Sequence, residues 1–139
     1  MKVEVKLLEK MKLAGSNENG KVTYFDAYST SGGDAEYASP MEVLLQSLAG
    51  CTAMDVLSII RKKRKSISAF KIYVDAVQSE EHPRVFTKIH LMYELVSEDA
   101  QIEDLDRAID LSMEKYCSVS RMLKNGGVKV TWASVLKGE

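Results

Sequence analysis

Polar and apolar residues alternate along "MKVEVKLLEKMKL", and this period of two predicts a strand over residues 2–13. A second strand is predicted over 21–29, after the turn-rich "AGSNENG". The polar, glycine-containing "STSGGDAEYASP" then reads as a mobile loop bordering a site. It lacks the Lys-Ser/Thr ending and the spacing of a phosphate-binding P-loop. "AFKIYVDAVQ" and "RVFTKIHLMYELV" are two strands joined through "SEEHP", with Val85, Thr87, Ile89, Leu91, Tyr93 and Leu95 on one face. Ile102, Leu105, Ile109, Met113 and Tyr116 recur at helical spacing and predict a helix reaching Cys117. "SVSRMLKNGG" reads as a short helical turn ended by glycines, and "VKVTWASVL" as a last strand. The order ββ-α-ββ-α-β, with no internal repeat and no linker, predicts one α+β domain over residues 1–139 with a mainly antiparallel sheet.

The longest helix follows the loop and is predicted over residues 40–64. Ser39, Pro40 and Glu42 carry the capping-box pattern at its start. "RKKRK" closes it, positive charge meeting the negative end of the helix dipole. Its apolar residues (Val43, Leu44, Leu48, Ala53, Val56 and Ile60 among them) fall all round the wheel. A helix apolar all round must be covered all round, and one sheet covers one side. The second helix or a partner subunit must cover the rest, which predicts a homodimer.

Composition narrows the function. With 19 Lys and Arg against 20 Asp and Glu, the net charge of −1 points to neither nucleic acid nor an anionic membrane. "RKKRK" has no interleaved aromatics and is explained by the helix end. Residues 43–60 come nearest to a membrane span of about 18 apolar residues. They are interrupted by Gln46, Ser47, Thr52, Asp55 and Ser58, so no membrane partner is expected. The N-terminus lacks the apolar run of a signal peptide, so a cytoplasmic location is expected. His82 and His90 are the only histidines, and no CxxC is present, so neither metal nor cofactor is expected.

The chemistry then rests on two cysteines, Cys51 and Cys117. At about 100° per residue, Cys51 shares its helix face with Ser47, Leu48, Asp55 and Ser58. Three polar side chains on one stripe of a buried helix need partners or a wet pocket. The stripe is either a cleft at Cys51 or a polar seam between helices. Asp55, one turn away, disfavours the thiolate of Cys51, which is the nucleophilic form. Cys117 stands at a helix break with free amides ahead of it, and Arg121 lies four residues on.

"SPMEVLLQSLAGCTAMDVLSIIRKKR" followed by "YCSVSRML" resembles the OsmC/Ohr family, the osmotically inducible and organic-hydroperoxide-resistance proteins. The "GCTAMD" helix resembles the family's less characterised branch. The resemblance implies an intertwined homodimer, with mainly antiparallel sheets wrapped around two central helices and active sites at the interface. It implies thiol-dependent reduction of small apolar hydroperoxides in oxidative-stress defence. Cys51 would be the peroxidatic and Cys117 the resolving cysteine, with Asp55, Ser47 and Arg121 in support and an external dithiol as reductant. Peroxidases of the family hold the reactive thiolate with an arginine from the N-terminal strands. Here the first arginine is Arg61, and Met41 stands at the position of the family's helix glutamate. The Cys51 thiolate is therefore expected to be less favoured than in those peroxidases, unless Arg84, Arg121 or a lysine of the first strands folds over the site, Arg121 being the best candidate. The alternative function is a non-enzymatic dimer binding an apolar small molecule in the interface pocket.

Overall fold

The computed structural model describes residues 1–138, which divide into two compact units, the boundary falling between Gln46 and Ser47. The first unit is a three-stranded antiparallel sheet in the order β1 (Val3–Glu9), β2 (Lys12–Asn17), β3 (Val22–Phe25). What the alternation predicts as one strand over 2–13 is therefore a hairpin, and three strands precede the first helix rather than two. The turn at Lys10 and Met11 has no Gly, Pro or Asn to betray it. Lys10 itself adopts the left-handed conformation, with φ 49°. Leu7 pairs with Leu13, and the register slips between Leu7 and Glu9. In the next turn the Asn17 carboxamide accepts the amides of Asn19 and Lys21, and Gly20 supplies a φ of 74°.

The loop after β3 is pinned along its length. The Asp26 carboxylate is buried and accepts the amides of Ala27 and Glu36, which hold it below the ordinary aspartate range against the cost of burial. Lys12 reaches Asp34 and Glu36 at 3.0 Å each, and Tyr37 stacks on Tyr24. Gly33 passes so close to Ala27 that a Cβ would fall 2.0 Å from its carbonyl oxygen.

Helix α1 (Pro40–Lys62) begins with the capping box that the sequence predicts. The Ser39 amide donates to Glu42 at 2.7 Å and the Glu42 amide donates to Ser39 Oγ at 3.3 Å. The Tyr28 hydroxyl also donates to Glu42, at 2.7 Å. The helix ends two residues earlier than expected, in a Schellman motif. Lys65 N–H reaches Ile60 O, Arg64 N–H reaches Arg61 O, and Arg64 takes the left-handed position with φ 58°. By length and composition α1 could cross a membrane. It nevertheless lays a stripe of Leu48, Thr52, Val56 and Ile60, each fully buried, in the core of the second unit. The all-round burial expected of α1 is absent within the chain; Met54 is 75% exposed.

In the second unit, β4 (Ala69–Gln78) and β5 (Phe86–Val96) form an antiparallel hairpin, and β6 (Lys129–Lys137) pairs with β5 in parallel. Ile89, Leu91, Tyr93 and Leu95 face the core as predicted; Val85 and Thr87 do not. Gln78 pairs with Phe86 but Val77 with Lys88, so Thr87 is an extra residue that flips the alternation and turns Phe86 inward. The crossover from β5 to β6 is helical, as a parallel pair requires. It runs through α2 (Ile102–Leu111), a π turn (Ser112–Tyr116) and α3 (Ser118–Asn125). Leu105, Ile109 and Met113 are buried as predicted. The wide turn then breaks the 3.6-residue stripe, so Tyr116 is exposed and Cys117 is buried.

The capping box makes stability depend on pH. Hydrogen bonds from the Ser39 amide and the Tyr28 hydroxyl hold the Glu42 carboxyl below the ordinary glutamate range. The stability this contributes is present above pH 4.5 and is lost as pH falls through the lowered value. Glu42→Ala should cost about 0.5–1 kcal/mol at pH 7. Urea unfolding at pH 7 and pH 3 checks it: the gap between variant and parent should shrink at pH 3, and a gap independent of pH would contradict the capping role.

Candidate functional site

Cys51 lies midway along α1 and is half-buried; Cys117 is 3% exposed, and both are free thiols. Cys117 takes extended backbone, φ −75° and ψ 104°, and is the N-cap of α3. Its sulfur accepts the Ser120 amide at 3.4 Å, and Ser120 Oγ donates back to the Cys117 carbonyl at 3.1 Å. The free amides expected ahead of Cys117 are therefore present, and one is used on its sulfur. Burial raises the Cys117 thiol above its ordinary value, the Ser120 amide offsets part of that, and the adjacent Cys51 thiol raises it again. The two cysteines are thus neighbours, brought together by α1 and the end of the π turn.

Beneath them runs a chain of buried hydroxyls. Thr52 Oγ1 is 2.8 Å from Tyr93 Oη and 2.7 Å from Ser112 Oγ, and Ser112 Oγ donates to Asp55 Oδ2 at 2.8 Å. Tyr93, Thr52 and Ser112 are each fully buried. Burial holds the Tyr93 phenol well above its ordinary value, outweighing the hydrogen bond to Thr52, and the charges of Cys117 and Asp55 add to the rise. Asp55 is therefore tied into the interior by Ser112. Of the two readings of its stripe, a polar seam between α1 and the crossover describes Asp55. Ser47 and Ser58, on the same face, are exposed and stand outside the seam.

Both candidate arginines and one of the candidate lysines have partners of their own. Arg121 Nη2 donates to the Glu114 carbonyl at 2.6 Å, and Arg84 Nε to the Ser79 carbonyl at 3.2 Å. Lys12 is held by Asp34 and Glu36, which raise its pKa above the ordinary lysine value. Among the described residues, Asp55 has no cation within ion-pair distance, and no cluster of His, Cys, Asp and Glu is fit for a metal. Thr52, Tyr93 and Ser112 are the residues that sequence reasoning missed as site members. Thr52 was visible as a polar break in an apolar run. Nothing in the sequence marked Ser112.

An α+β crossover unit that sets a half-exposed thiol on one helix beside a buried thiol capping another defines a class of dithiol protein. Residues 32–133 match the family model described as OsmC-like protein, and the chain belongs to that family. It is 37% identical over 124 residues to Protein YhfA of Escherichia coli strain K12, covering 89% of this chain and 90% of that one. A hypothetical protein from Aquifex aeolicus VF5 superposes with TM-score 0.80 at 29% identity, over 98% of this chain and 96% of that one. The organic hydroperoxide resistance protein OhrB of Bacillus subtilis shares the fold, with TM-score 0.61 and 16% identity over 96% of each chain.

The thiolate is the alkylating form, and Cys117 is both buried and raised. At pH 7, iodoacetamide should modify Cys51 faster than Cys117 by about tenfold or more. The gap should narrow only above pH 9, as Cys117 deprotonates. Peptide mass spectrometry of a labelling time course checks this, and faster labelling of Cys117 at pH 7 would reverse the assignment.

Proposed function

We propose that this OsmC-like protein is a thiol-dependent peroxidase acting on organic hydroperoxides, with Cys51 as the attacking and Cys117 as the resolving residue. The observation that carries the reading is the pairing of a half-exposed thiol with a buried neighbour. A hydroperoxide meets Cys51 first. Its thiolate attacks the terminal peroxide oxygen, the O–O bond breaks, and the leaving alkoxide takes a proton to become an alcohol. Cys51 is left as a sulfenic acid. Cys117 then displaces hydroxide from that sulfur, giving a disulfide and water. An external dithiol returns both thiols by exchange and is itself oxidised to a disulfide. Without an arginine at Cys51, the first step is slower at neutral pH than in the arginine-bearing peroxidases. In the active form the protein is a homodimer, in which a second copy covers the apolar side of α1 that the chain leaves open.

The open, largely apolar face of α1 at Met54, Leu57 and Ser58, bordered by Arg61 and Lys62, favours a second reading, a dimeric protein in which a second copy closes this face over an apolar small molecule.

One equivalent of cumene hydroperoxide should convert the reduced protein to a form lighter by two hydrogens, with Cys51 linked to Cys117. Cys51→Ser should abolish peroxide consumption. Full consumption by Cys51→Ser would overturn the assignment of Cys51, and no reaction of the parent would favour the binding protein. Light scattering at micromolar concentration should give twice the 15.5 kDa chain mass, and a stable monomer would remove the dimer from the account.

A further inference from the structure

The outer face of the sheet in the second unit carries a charge pattern that the core does not explain. Along β5, Ile89, Leu91, Tyr93 and Leu95 turn inward, so Lys88, His90, Met92 and Glu94 point away from α1. At one end of this outer face the charges are matched. Lys71 of β4 is the register partner of Glu94 and reaches it at 3.7 Å, and Lys137 of β6 reaches it at 2.8 Å. Lys137, and less so Lys71, hold the Glu94 carboxyl below the ordinary glutamate range.

At the other end they are unmatched. Lys88 is the register partner of Lys129 across the parallel β5–β6 pair, and its partner on β4 is the apolar Val77. Adjacent strands lie about 4.8 Å apart, so the two lysine stems rise side by side. Like charges placed directly opposite destabilise a sheet. Among the described residues, neither lysine has a carboxylate within ion-pair distance. The bulge puts Lys88 there: Phe86 and Ile89 both turn inward, and the extra residue Thr87 lets Lys88 face out between them. Two residues on, His90 is the register partner of Thr131, with Nδ1 2.7 Å from Thr131 Oγ1. That hydrogen bond orients the imidazole and leaves Nε2 for another partner. Lys88, Lys129, Thr131 and His90 are thus the corners of a rectangle, about 4.8 Å across the strands and about 6.6 Å along them. They line one open hollow. Asp75, the register partner of His90, is the one carboxylate among its lining residues and stands on the β4 side, away from the β6 column of Lys129 and Thr131.

We propose that Lys88, Lys129, His90 and Thr131 bind a small phosphate-type oxyanion, a phosphomonoester or inorganic phosphate. Two ammonium groups match a dianion, and the ligand supplies the negative charge that the register leaves out. Lysines hold phosphate as point charges, so His90 and Thr131 give the site its directional donors. The bound oxyanion selects the form of the ring in which Nε2 carries a proton. The face has no further unpaired lysine, because Lys71 and Lys137 are held by Glu94. A membrane-binding patch presents about four to eight cations, so the occupant is a soluble phosphate rather than a lipid surface. The inference is independent of the cysteine chemistry.

The whole chain, in phosphate-free buffer of low ionic strength, is titrated with inorganic phosphate and followed by its amide resonances in two-dimensional NMR. The shifts should saturate at millimolar ligand and centre on Lys88, His90, Lys129 and Thr131. Lys88→Gln and Lys129→Gln should each weaken binding by at least about threefold, a modest loss because the contacts are exposed. Lys137→Gln, on the same face but outside the hollow, should leave it unchanged. Without ligand, Lys129→Gln should unfold at the parental temperature or above it, since it removes a like-charge pair. A lower unfolding temperature would contradict the unmatched charge. Phenyl phosphate should displace inorganic phosphate, and vesicles carrying phosphatidic acid should not sediment the protein. Sedimentation that Lys129→Gln abolishes would overturn the soluble ligand in favour of a lipid headgroup. Shifts that never saturate, that fall equally on the basic run at residues 61–65, or that survive both substitutions overturn the site.

Discussion

Thr52 is where three separate elements of the second unit meet. Its hydroxyl joins α1 to Tyr93 on β5 and to Ser112 in the crossover, with no exposed surface on any of the three. A buried hydroxyl without a partner costs about 1–3 kcal/mol, so these contacts fix the helix against the sheet in rotation as well as in depth. Apolar burial of Leu48, Val56 and Ile60 alone would tolerate sliding. The polar contacts do not. The placement of Cys51 follows, because Cys51 is the residue next to Thr52 and points wherever Thr52's anchoring leaves it.

The π turn performs the matching task for the other thiol. Had α2 continued at 3.6 residues per turn, the stripe through Leu105, Ile109 and Met113 would have carried Tyr116 inward and Cys117 aside. The Cys117 amide instead reaches the Ser112 carbonyl, and the chain leaves the helix with Cys117 buried and extended. Its sulfur then caps α3. Lys124 and Arg121 steady the turn from that helix by donating to the Met113 and Glu114 carbonyls. Arg121 has a structural task here: it donates to the Glu114 carbonyl in the wide turn.

Much of this was legible in the sequence, and what was not has identifiable causes. The capping box at Ser39 and Glu42 is a local pattern with local physics, and it holds. The end of α3 was legible through Gly127, which sits at φ 92° in a Schellman motif. The same motif ends α1, but there Arg64 occupies the left-handed position, so only the charge run hinted at the boundary. The hairpin at Lys10 was hidden for the same reason. The bulge at Thr87 and the π turn each shift a periodicity by one residue, which no count of apolar positions reveals. Cys51 and Cys117 could be singled out by their setting and by the family resemblance. The hydroxyl chain of Tyr93, Thr52 and Ser112 joins residues 41 to 60 positions apart and exists only in the fold.

Cys51 and Cys117, as neighbours, should be able to share one disulfide. A redox titration in buffers of graded reduced and oxidised dithiothreitol, quenched with a thiol-labelling reagent, measures this without any peroxide. The expected result is a single two-electron transition in which Cys51 and Cys117 lose reactivity together, absent in Cys117→Ser. Independent oxidation of the two cysteines, or labelling of both at every redox poise, would contradict it.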